Sequence, residues 1–251
     1  MRFLRECSIV FRRQLRMNLR NPAWVIIGLL QPVLYLLLFG PLLKPLIKQF
    51  GATNAYTFFV PGMLVQLGLF GAFFAGFSLI GEWREGVIEA ERVTPASRTA
   101  LLVGRLTRDV LQLFVQAVIL VGLGYVMGMD ASFGGAVLGV VLTLLVGGAC
   151  AAASNALALS TKSEDVMAPV INVVMMPVLL LSGILLPMTI GPAWLTRVSD
   201  FMPTRWIVDG TRDLFAGTFD SSAVGWGLGW AIALFGLALW WGTAVFRKEN
   251  A

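Results

Sequence analysis

Residues 134–160 decide the fold of this chain, because GGAVLGVVLTLLVGGACAAASNALALS runs for 27 residues without a charged side chain. An α-helix rises about 1.5 Å per residue, so about 20 residues cross a hydrocarbon core of about 30 Å. Lipid offers no hydrogen bonds to the backbone, so only helices and closed barrels cross it. The alternation of a barrel strand is absent from this stretch. The stretch therefore predicts a membrane-spanning helix.

Five more apolar runs of similar length lie along the 251-residue chain. They cover approximately residues 24–43, 58–80, 110–128, 169–187 and 224–246. Only 13% of the residues are charged, against about 25% in a typical soluble domain, which excludes an ordinary soluble enzyme. We predict an all-α integral membrane protein with six transmembrane helices, in which residues 1–251 form a single domain.

The basic residues predict the orientation of these helices. With six spans both termini share one side, and 14 of the 19 Lys and Arg residues fall on that side. The other five are Lys44, Lys48, Arg197, Arg205 and Arg212. Basic residues are enriched in loops that face the cytoplasm, so we predict cytoplasmic N and C termini in the inner or plasma membrane of the cell.

Residues 2–20 have the pattern of an amphipathic helix. One face is apolar, with Phe3, Leu4, Cys7, Val10, Phe11, Leu15 and Leu19, and the other is rich in arginine. Such a helix lies in the membrane interface, with its arginines near anionic headgroups. A plain basic anchor is the alternative, and the two are compatible. The residues expected at the interface are Arg5, Phe11, Arg12, Arg13 and Arg16.

Residues 81–109 form the one long connection on the predicted cytoplasmic side, with five acidic and five basic residues. Glu82, Glu85, Glu89 and Arg92 are spaced to share a helical face, which Thr94-Pro95 ends. A solvated connector is the alternative, but passive connections are usually a handful of residues long. We therefore favour a docking site for a cytosolic partner.

Residues 188–222 form a long predicted external loop with mixed polarity. Asp209 and Arg212 are spaced i, i+3, which is a helical pairing distance. Half-polar segments beside span ends often re-enter the outer leaflet as short helices covered by protein. A loop that lies on the membrane surface, held by aromatic anchors, is the alternative.

The chain lacks residues for several kinds of chemistry. It contains no His, and none of its four lysines follows a glycine, so a phosphate-binding Walker A loop is absent. The six predicted spans contain no Asp, Glu, Lys or Arg, whereas ion-coupled transporters normally carry an ionisable residue at mid-membrane. We predict neither enzymatic activity, nor a metal site, nor a cofactor bound by this chain. Energy for any transport would come from another protein.

Uncharged polar residues and aromatics give a weak indication of a translocation path. The candidates are Gln31, Gln66, Phe70, Phe74 and Asn172. For any single amide, a hydrogen bond between helices is the more common role. For the aromatics of the second span, packing against core and lipid is the more common role.

Taken together, these features resemble the membrane subunit of ABC-2-type exporters, in particular the daunorubicin-resistance and nodulation-factor export permeases. The Arg-rich start leads into Asn21-Pro22, and the first span contains Gln31-Pro32-Val33-Leu34 through Phe39-Gly40. Gly81-Glu82-Trp83-Arg84-Glu85-Gly86, followed by Val93-Thr94-Pro95-Ala96-Ser97-Arg98, is similar to the family's E-x-x-x-G and T-P-x-S-R segment. The stretch from Met202 to Arg212 is similar to its P-x-x-x-x-V-D-x-x-R motif.

The resemblance implies a dimer of permease subunits, identical or homologous, with two cytosolic ATPase subunits that bind ATP and Mg. It implies that residues 2–20 form a connecting helix and that residues 81–98 hold the coupling helix. The implied ATPase contacts are Glu82, Trp83, Arg84, Glu85, Gly86, Glu89, Arg92, Thr94 and Pro95. It also implies an external cap with Asp209 and Arg212, where Arg205 departs from the apolar or small residue expected.

The substrate class follows less directly. Spans without charge favour a hydrophobic or amphipathic substrate, drug-like or lipid-linked, as in multidrug resistance. A polysaccharide or glycolipid exporter of the same family is one alternative. A membrane protein that recruits a cytosolic partner without transporting anything is another, and an intramembrane enzyme is weakened by the missing His and acids. Substrate identity and the choice between homodimer and heterodimer stay open.

Overall fold

The computed structural model of the chain describes residues 15–16, 23–43, 45, 47, 54–88 and 98–249. Nine α-helices and no strands occur in these ranges. The helices are α1 (Ala23–Leu43), α2 (Ala55–Phe73), α3 (Ala75–Arg84), α4 (Arg98–Val126), α5 (Phe133–Thr161), α6 (Glu164–Leu181), α7 (Ala193–Asp200), α8 (Pro203–Phe215) and α9 (Ser222–Glu249). A short 3₁₀ turn, Met188–Ile190, precedes α7.

Six helical segments are long and apolar enough to cross a membrane, as the sequence predicts. They are α1, α2 together with α3, α4, α5, α6 and α9. Large parts of α1, α6 and α9 lie outside the core and present residues such as Leu38, Met176 and Trp240 on the surface. Apolar surface of this extent is stable against lipid and unfavourable in water. The fold is therefore that of a multi-pass membrane protein.

Helix α5 lies at the centre of the bundle and packs against α2, α3, α4, α8 and α9. Its small residues permit this, because a Cβ atom at Gly135 would come within 1.7 Å of the Leu214 carbonyl oxygen of α8. Similarly, a Cβ atom at Gly68 of α2 would lie 3.1 Å from the Thr143 carbonyl oxygen of α5. Close backbone approach through small residues is typical of membrane helices.

Hydrogen bonds and ion pairs define two ends of the bundle. At the Arg212 end, Asn54 donates to the Gly128 carbonyl oxygen at 2.7 Å, and Thr57 bonds the backbone of Asp130. At the opposite end, called the Arg84 end, Arg84 of α3 pairs with Glu164 of α6 at 3.0 Å. The described chain thus connects helices at both ends through polar contacts.

The second predicted span is broken at Phe74, between α2 and α3. Ser154 of α5 lies against the break, where its hydroxyl donates to the Phe73 carbonyl oxygen and accepts from the Gly76 N–H at 3.0 Å. A side chain inserted into the hydrogen-bond ladder is a usual cause of a helix break. The break therefore has its polar groups satisfied by a neighbouring helix, and α3 is a separate short arm.

The predicted loop 81–109 differs from the structure, since α3 continues to Arg84 and α4 already begins at Arg98. The prediction that the spanning helices are free of ionisable residues is therefore wrong, because α4 carries Arg105, Arg108 and Asp109 within its helix. These side chains pair with neighbouring charges, which makes their place in a packed helix tolerable. Hydropathy alone ends a span at the first charge.

The region 188–222 contains the 3₁₀ turn and two helices, α7 and α8, as the prediction of short helices requires. Helix α8 packs against α2, α5 and α9, so it is part of the bundle rather than a loop lying on its surface. Its buried side includes Ile207, Val208 and Phe215. The prediction of a membrane-surface loop is thereby disfavoured.

Candidate functional site

Two adjoining cavities lie between α1, α2, α3, α4 and α5. The larger has a volume of about 580 Å³, and the smaller, between α1, α2 and α4, has a volume of about 230 Å³. Both are lined by Gly71, Phe74, Gln112 and Gln116, so they meet at the break between α2 and α3. Pockets for drug-sized ligands range over about 300–1,000 Å³.

Four of the five residues predicted for a translocation path line the smaller cavity. They are Gln31, Gln66, Phe70 and Phe74. The fifth, Asn172, is exposed on α6 and lines neither cavity. Its place in the predicted path is corrected, because the helical period turns its side chain away from the buried Ile171 and Met175.

The cavity amides differ in how they are bonded. Gln116 donates to the Val25 carbonyl oxygen of α1 at 3.1 Å, so it links two helices. Gly28 makes room for this amide, since a Cβ atom there would lie 2.5 Å from the Gln116 nitrogen. Gln31 donates to the Tyr35 hydroxyl at 3.3 Å. Gln66 is 1% exposed, and neither its amide nitrogen nor its amide oxygen has a hydrogen-bond partner among the described residues.

Buried charges lie beside the larger cavity, toward the Arg84 end. Arg105 of α4 donates to a carboxylate oxygen of Glu82 at 2.7 Å, and the residues are 2% and 8% exposed. Arg108 pairs with Asp109 at 2.6 Å and donates to the Ser78 hydroxyl of α3 at 3.2 Å. Charge-assisted bonds of this kind hold the arm α3 against α4.

The predicted ATPase-coupling residues are therefore divided by the structure. Glu82 is buried against Arg105, which corrects its predicted place on a surface face: its carboxylate binds inside the bundle. Trp83 is half-buried, while Arg84 and Glu85 are exposed. Gly86 has a φ of 74°, a left-handed conformation that glycine adopts readily, and it turns the chain away from α3.

Several predicted residues lie outside the described part of the chain. Of the coupling residues these are Glu89, Arg92, Thr94 and Pro95, and of the interfacial residues Arg5, Phe11, Arg12 and Arg13. Arg16 is described and is exposed. Among the described residues, no group of three or more His, Cys, Asp or Glu forms a metal-binding cluster.

Arg212 connects three parts of the bundle at the Arg212 end. It donates to the carbonyl oxygens of Gly183 at 2.8 Å and Ile184 at 3.1 Å, in the segment that follows α6. It also donates to the Phe58 carbonyl oxygen of α2 at 3.4 Å and lies 4.0 Å from the centre of the Phe58 ring. A planar guanidinium suits several acceptors and an aromatic face at once.

The predicted pairing of Asp209 with Arg212 is present, with 3.5 Å between a carboxylate oxygen and a guanidinium nitrogen. Burial lowers the pKa of Arg212 to about 10, and the nearby Asp209 partly offsets this. Burial raises the pKa of Asp209 above its usual value, while Arg212 and Arg205 oppose the shift. Arg212 therefore stays charged at neutral pH, and its carbonyl contacts are the main ones.

Arg205, the departure from the family pattern, joins α7 to α8. Its guanidinium binds Asp200 and donates to the Ser199 hydroxyl at 2.8 Å and the Thr196 carbonyl oxygen at 3.1 Å. It also lies 3.5 Å from Asp209. The charge is thus used within the external region, so an apolar residue is not required there.

Several residues of the site were missed from the sequence. Arg105, Arg108 and Asp109 were taken as part of a charged connection, and Ser154 gave no signal because serine is common in membrane helices. Gln112 and Gln116 are four residues apart and so share one helical face, which is a signal for a polar stripe on α4.

The contacts of Ser154 give a testable prediction. Ser154→Ala leaves the Phe73 carbonyl and the Gly76 N–H without their partner, at about 1–3 kcal/mol for each buried group. We expect a lower unfolding midpoint and faster hydrogen exchange at Gly76. Ser160→Ala is the matched control, since Ser160 is exposed and bonds within its own helix at 2.9 Å. Equal exchange rates in the two variants would contradict the role of Ser154.

Comparison with known proteins agrees with this architecture. The ABC-2 type transporter family model matches residues 5–216. The chain is 27% identical over 200 residues to the daunorubicin resistance ABC transporter permease protein DrrB1 of Streptomyces coeruleorubidus, covering 78% of this chain and 70% of that protein. It is 26% identical over 218 residues to a putative transport permease of Pyropia yezoensis, covering 85% of this chain and 75% of the relative.

A putative transport permease of Cyanophora paradoxa is 27% identical over 218 residues, again covering 85% of this chain and 75% of the relative. These matches extend from the first helix to the external region before α9, so the resemblance seen in the sequence motifs is confirmed. With its six apolar helical segments and a family match over most of its length, the chain belongs to the ABC-2 type transporter family as a membrane-spanning permease.

Proposed function

We propose that this chain is the permease subunit of an ATP-driven exporter that moves a hydrophobic or amphipathic substrate out of the cytoplasm or the inner leaflet. The observation that carries the proposal is the position of the two cavities. They meet at the break between α2 and α3, and the far end of α3 is bound to α4 by Glu82 and Arg105. A movement of α3 therefore changes the walls of both cavities.

The driving force would come from outside the chain. Two cytosolic ATPase subunits, with ATP and Mg bound to them, would dock at the Arg84 end, and a second permease copy or a homologue would complete the assembly. This arrangement places the Arg84 end and both termini in the cytoplasm, in agreement with the distribution of basic residues. The exposed side chains of Arg84 and Glu85, next to the turn at Gly86, are available for such a contact.

Transmission would run from the docking segment through α3. Because the buried ion pair joins α3 to α4, closure of the ATPase dimer would move both helices together and open or close the cavities between them. Phe74 lies at the pivot and lines both cavities. The apolar walls and the absence of a net charged lining in the smaller cavity favour a largely apolar substrate.

The Arg212 end would form the exit. Helices α7 and α8 pack there as a cap, held by Arg212 and Arg205. Release of substrate requires the segment after α6 to separate from α2, and Arg212 bonds both. The relatives that carry drug-resistance and transport-permease names support export, and the polysaccharide or glycolipid alternative differs only in substrate.

Purification of the chain from its native membrane in mild detergent, with mass spectrometry of associated proteins, tests the proposal. A stoichiometric partner with a Walker A lysine, whose ATPase activity rises with apolar substrates, is the expected result. Recovery of the chain without any ATPase after crosslinking in the membrane would favour a protein that recruits another partner.

The docking surface gives a sharper prediction. Glu85→Arg reverses an exposed charge beside the turn at Gly86, so we expect substrate-stimulated ATPase activity to fall by about tenfold, through loss of roughly 1.4 kcal/mol of docking energy. Membrane insertion should be normal. Asp220→Arg is the matched control, because Asp220 is exposed between α8 and α9, at the Arg212 end. Equal ATPase activities in the two variants would place the ATPase contact elsewhere.

A further inference from the structure

Gln66 is unusual among the polar residues of the bundle. It lies in the interior of α2, is 1% exposed, and lines the smaller cavity. Both of its amide atoms lack a hydrogen-bond partner among the described residues. Buried polar groups in lipid-embedded proteins normally find partners, since a group without one is destabilising.

A purely structural role does not explain this amide. Gln116, on the facing wall, shows what such a role looks like, because it donates to the Val25 carbonyl oxygen of α1. Gln66 makes no such link. An amide that is buried, unbonded and directed at a cavity is arranged for a molecule that enters the cavity.

The lining of the smaller cavity indicates the chemistry of that molecule. Its polar lining comes from the amides of Gln31, Gln66, Gln112 and Gln116, and no charged side chain contributes to it. Amides donate and accept, as hydroxyl groups do. A charged group placed there would lose its hydration without meeting an opposite charge, which is costly.

Backbone geometry adds a further acceptor. Pro32 of α1 lines the same cavity and has no N–H to give to the Gly28 carbonyl, which also belongs to the lining. Phe70 and Phe74 supply an apolar wall, and Phe74 continues it into the larger cavity. The lining therefore combines a polar, uncharged part with an apolar part.

We propose that the smaller cavity binds the uncharged, hydroxyl-bearing head of an amphipathic molecule taken from the membrane, with Gln66 as its principal hydrogen-bond partner. The apolar part of the molecule lies along Phe74 in the larger cavity. This inference rests on the proposed transport function for its purpose, but it concerns binding to this chain alone. It narrows the substrate from apolar molecules in general to amphipaths with a neutral polar head.

Photolabelling of the protein in detergent-free lipid nanodiscs tests the site. The probe is dodecyl glucoside with a diazirine in its chain, and the comparison probes are dodecyl trimethylammonium and dodecyl sulfate with the same diazirine. We expect the glucoside to label α2 and α4 at least about tenfold more than either charged probe, in a manner that unlabelled dodecyl glucoside competes away. Equal labelling by the three probes, or no competed labelling, overturns the proposal.

Gln66→Leu separates a binding role from a structural one. Removing an unbonded amide from an apolar helix should raise the unfolding midpoint, whereas labelling by the glucoside should fall about tenfold or more. Asn172→Leu is the matched control, because that amide is exposed on α6 and should leave labelling unchanged. Unchanged labelling in Gln66→Leu, or a fall in its midpoint, overturns the assignment.

The result can be separated from the fate of the proposed function. Labelling requires neither ATP nor a partner, so a competed, Gln66-dependent signal without any associated ATPase would support the site and contradict the exporter. Conversely, glucoside-independent ATPase stimulation by apolar compounds, with no competed labelling, would support the exporter and overturn the site.

Discussion

Arg212→Met is expected to lower the free energy of unfolding by about 3 kcal/mol or more. The substitution leaves the carbonyl oxygens of Gly183 and Ile184 buried without their donor, and each such loss costs about 1–3 kcal/mol. It also removes the contact with the Phe58 carbonyl and ring, which joins α2 to α8. Thermal unfolding in detergent measures the change.

Two further variants make this result specific. Arg212→Lys keeps the charge but cannot reach three acceptors with a planar fork, so we expect an intermediate loss. Arg197→Met changes an exposed arginine of α7 and should have little effect. Asp209→Asn should also cost little, because its carboxylate is 3.5 Å from Arg212 and partly exposed. A loss in Asp209→Asn equal to that in Arg212→Met would show that the ion pair, and not the carbonyl contacts, holds the cap.

Glu82→Ala is expected to destabilise the protein by about 3–5 kcal/mol, because it removes the carboxylate that Arg105 binds in a buried position. The double variant Glu82→Met with Arg105→Met removes both charges and should be more stable than Glu82→Ala. A double variant as unstable as the sum of its single variants would show that the two residues act independently.

The same pair tests the transmission of movement. If the ion pair couples α3 to α4 during transport, the double variant should insert and fold but lose ATP-driven transport. Glu164→Ala is the matched control, because its pair with Arg84 is exposed on both sides and is worth about 0–1 kcal/mol. Normal transport by the double variant would show that α3 and α4 need no ionic link to move together.

Hydropathy predicted the helices well and the site only in part. Six apolar segments are present, and Gln31, Gln66, Phe70 and Phe74 meet at one cavity, as their choice for a common path requires. Asn172 fails because an amide in a span carries no information about which face of the helix is covered. The orientation in the membrane and the contacts of residues 1–14 and 89–97 stay predictions.

The charged residues show why the remainder was not predictable. A carboxylate or guanidinium reads as a surface residue in sequence, because an isolated charge is costly to bury. Glu82 and Arg105 are 23 positions apart, and only the packing of α3 on α4 brings them within 2.7 Å, where each offsets the burial of the other. No local pattern announces a partner at that separation.

The sequence by itself determined the membrane class, the number of helices, and the family, because apolar length and local motifs are properties of short stretches. It also determined that Asp209 and Arg212 pair, since one turn of helix sets their spacing. The tertiary structure decided that Ser154 breaks the second span, that Glu82 faces inward, and that Gln66 is left without a partner beside a cavity. Each of these depends on which helices lie side by side, and long-range packing fixes that arrangement.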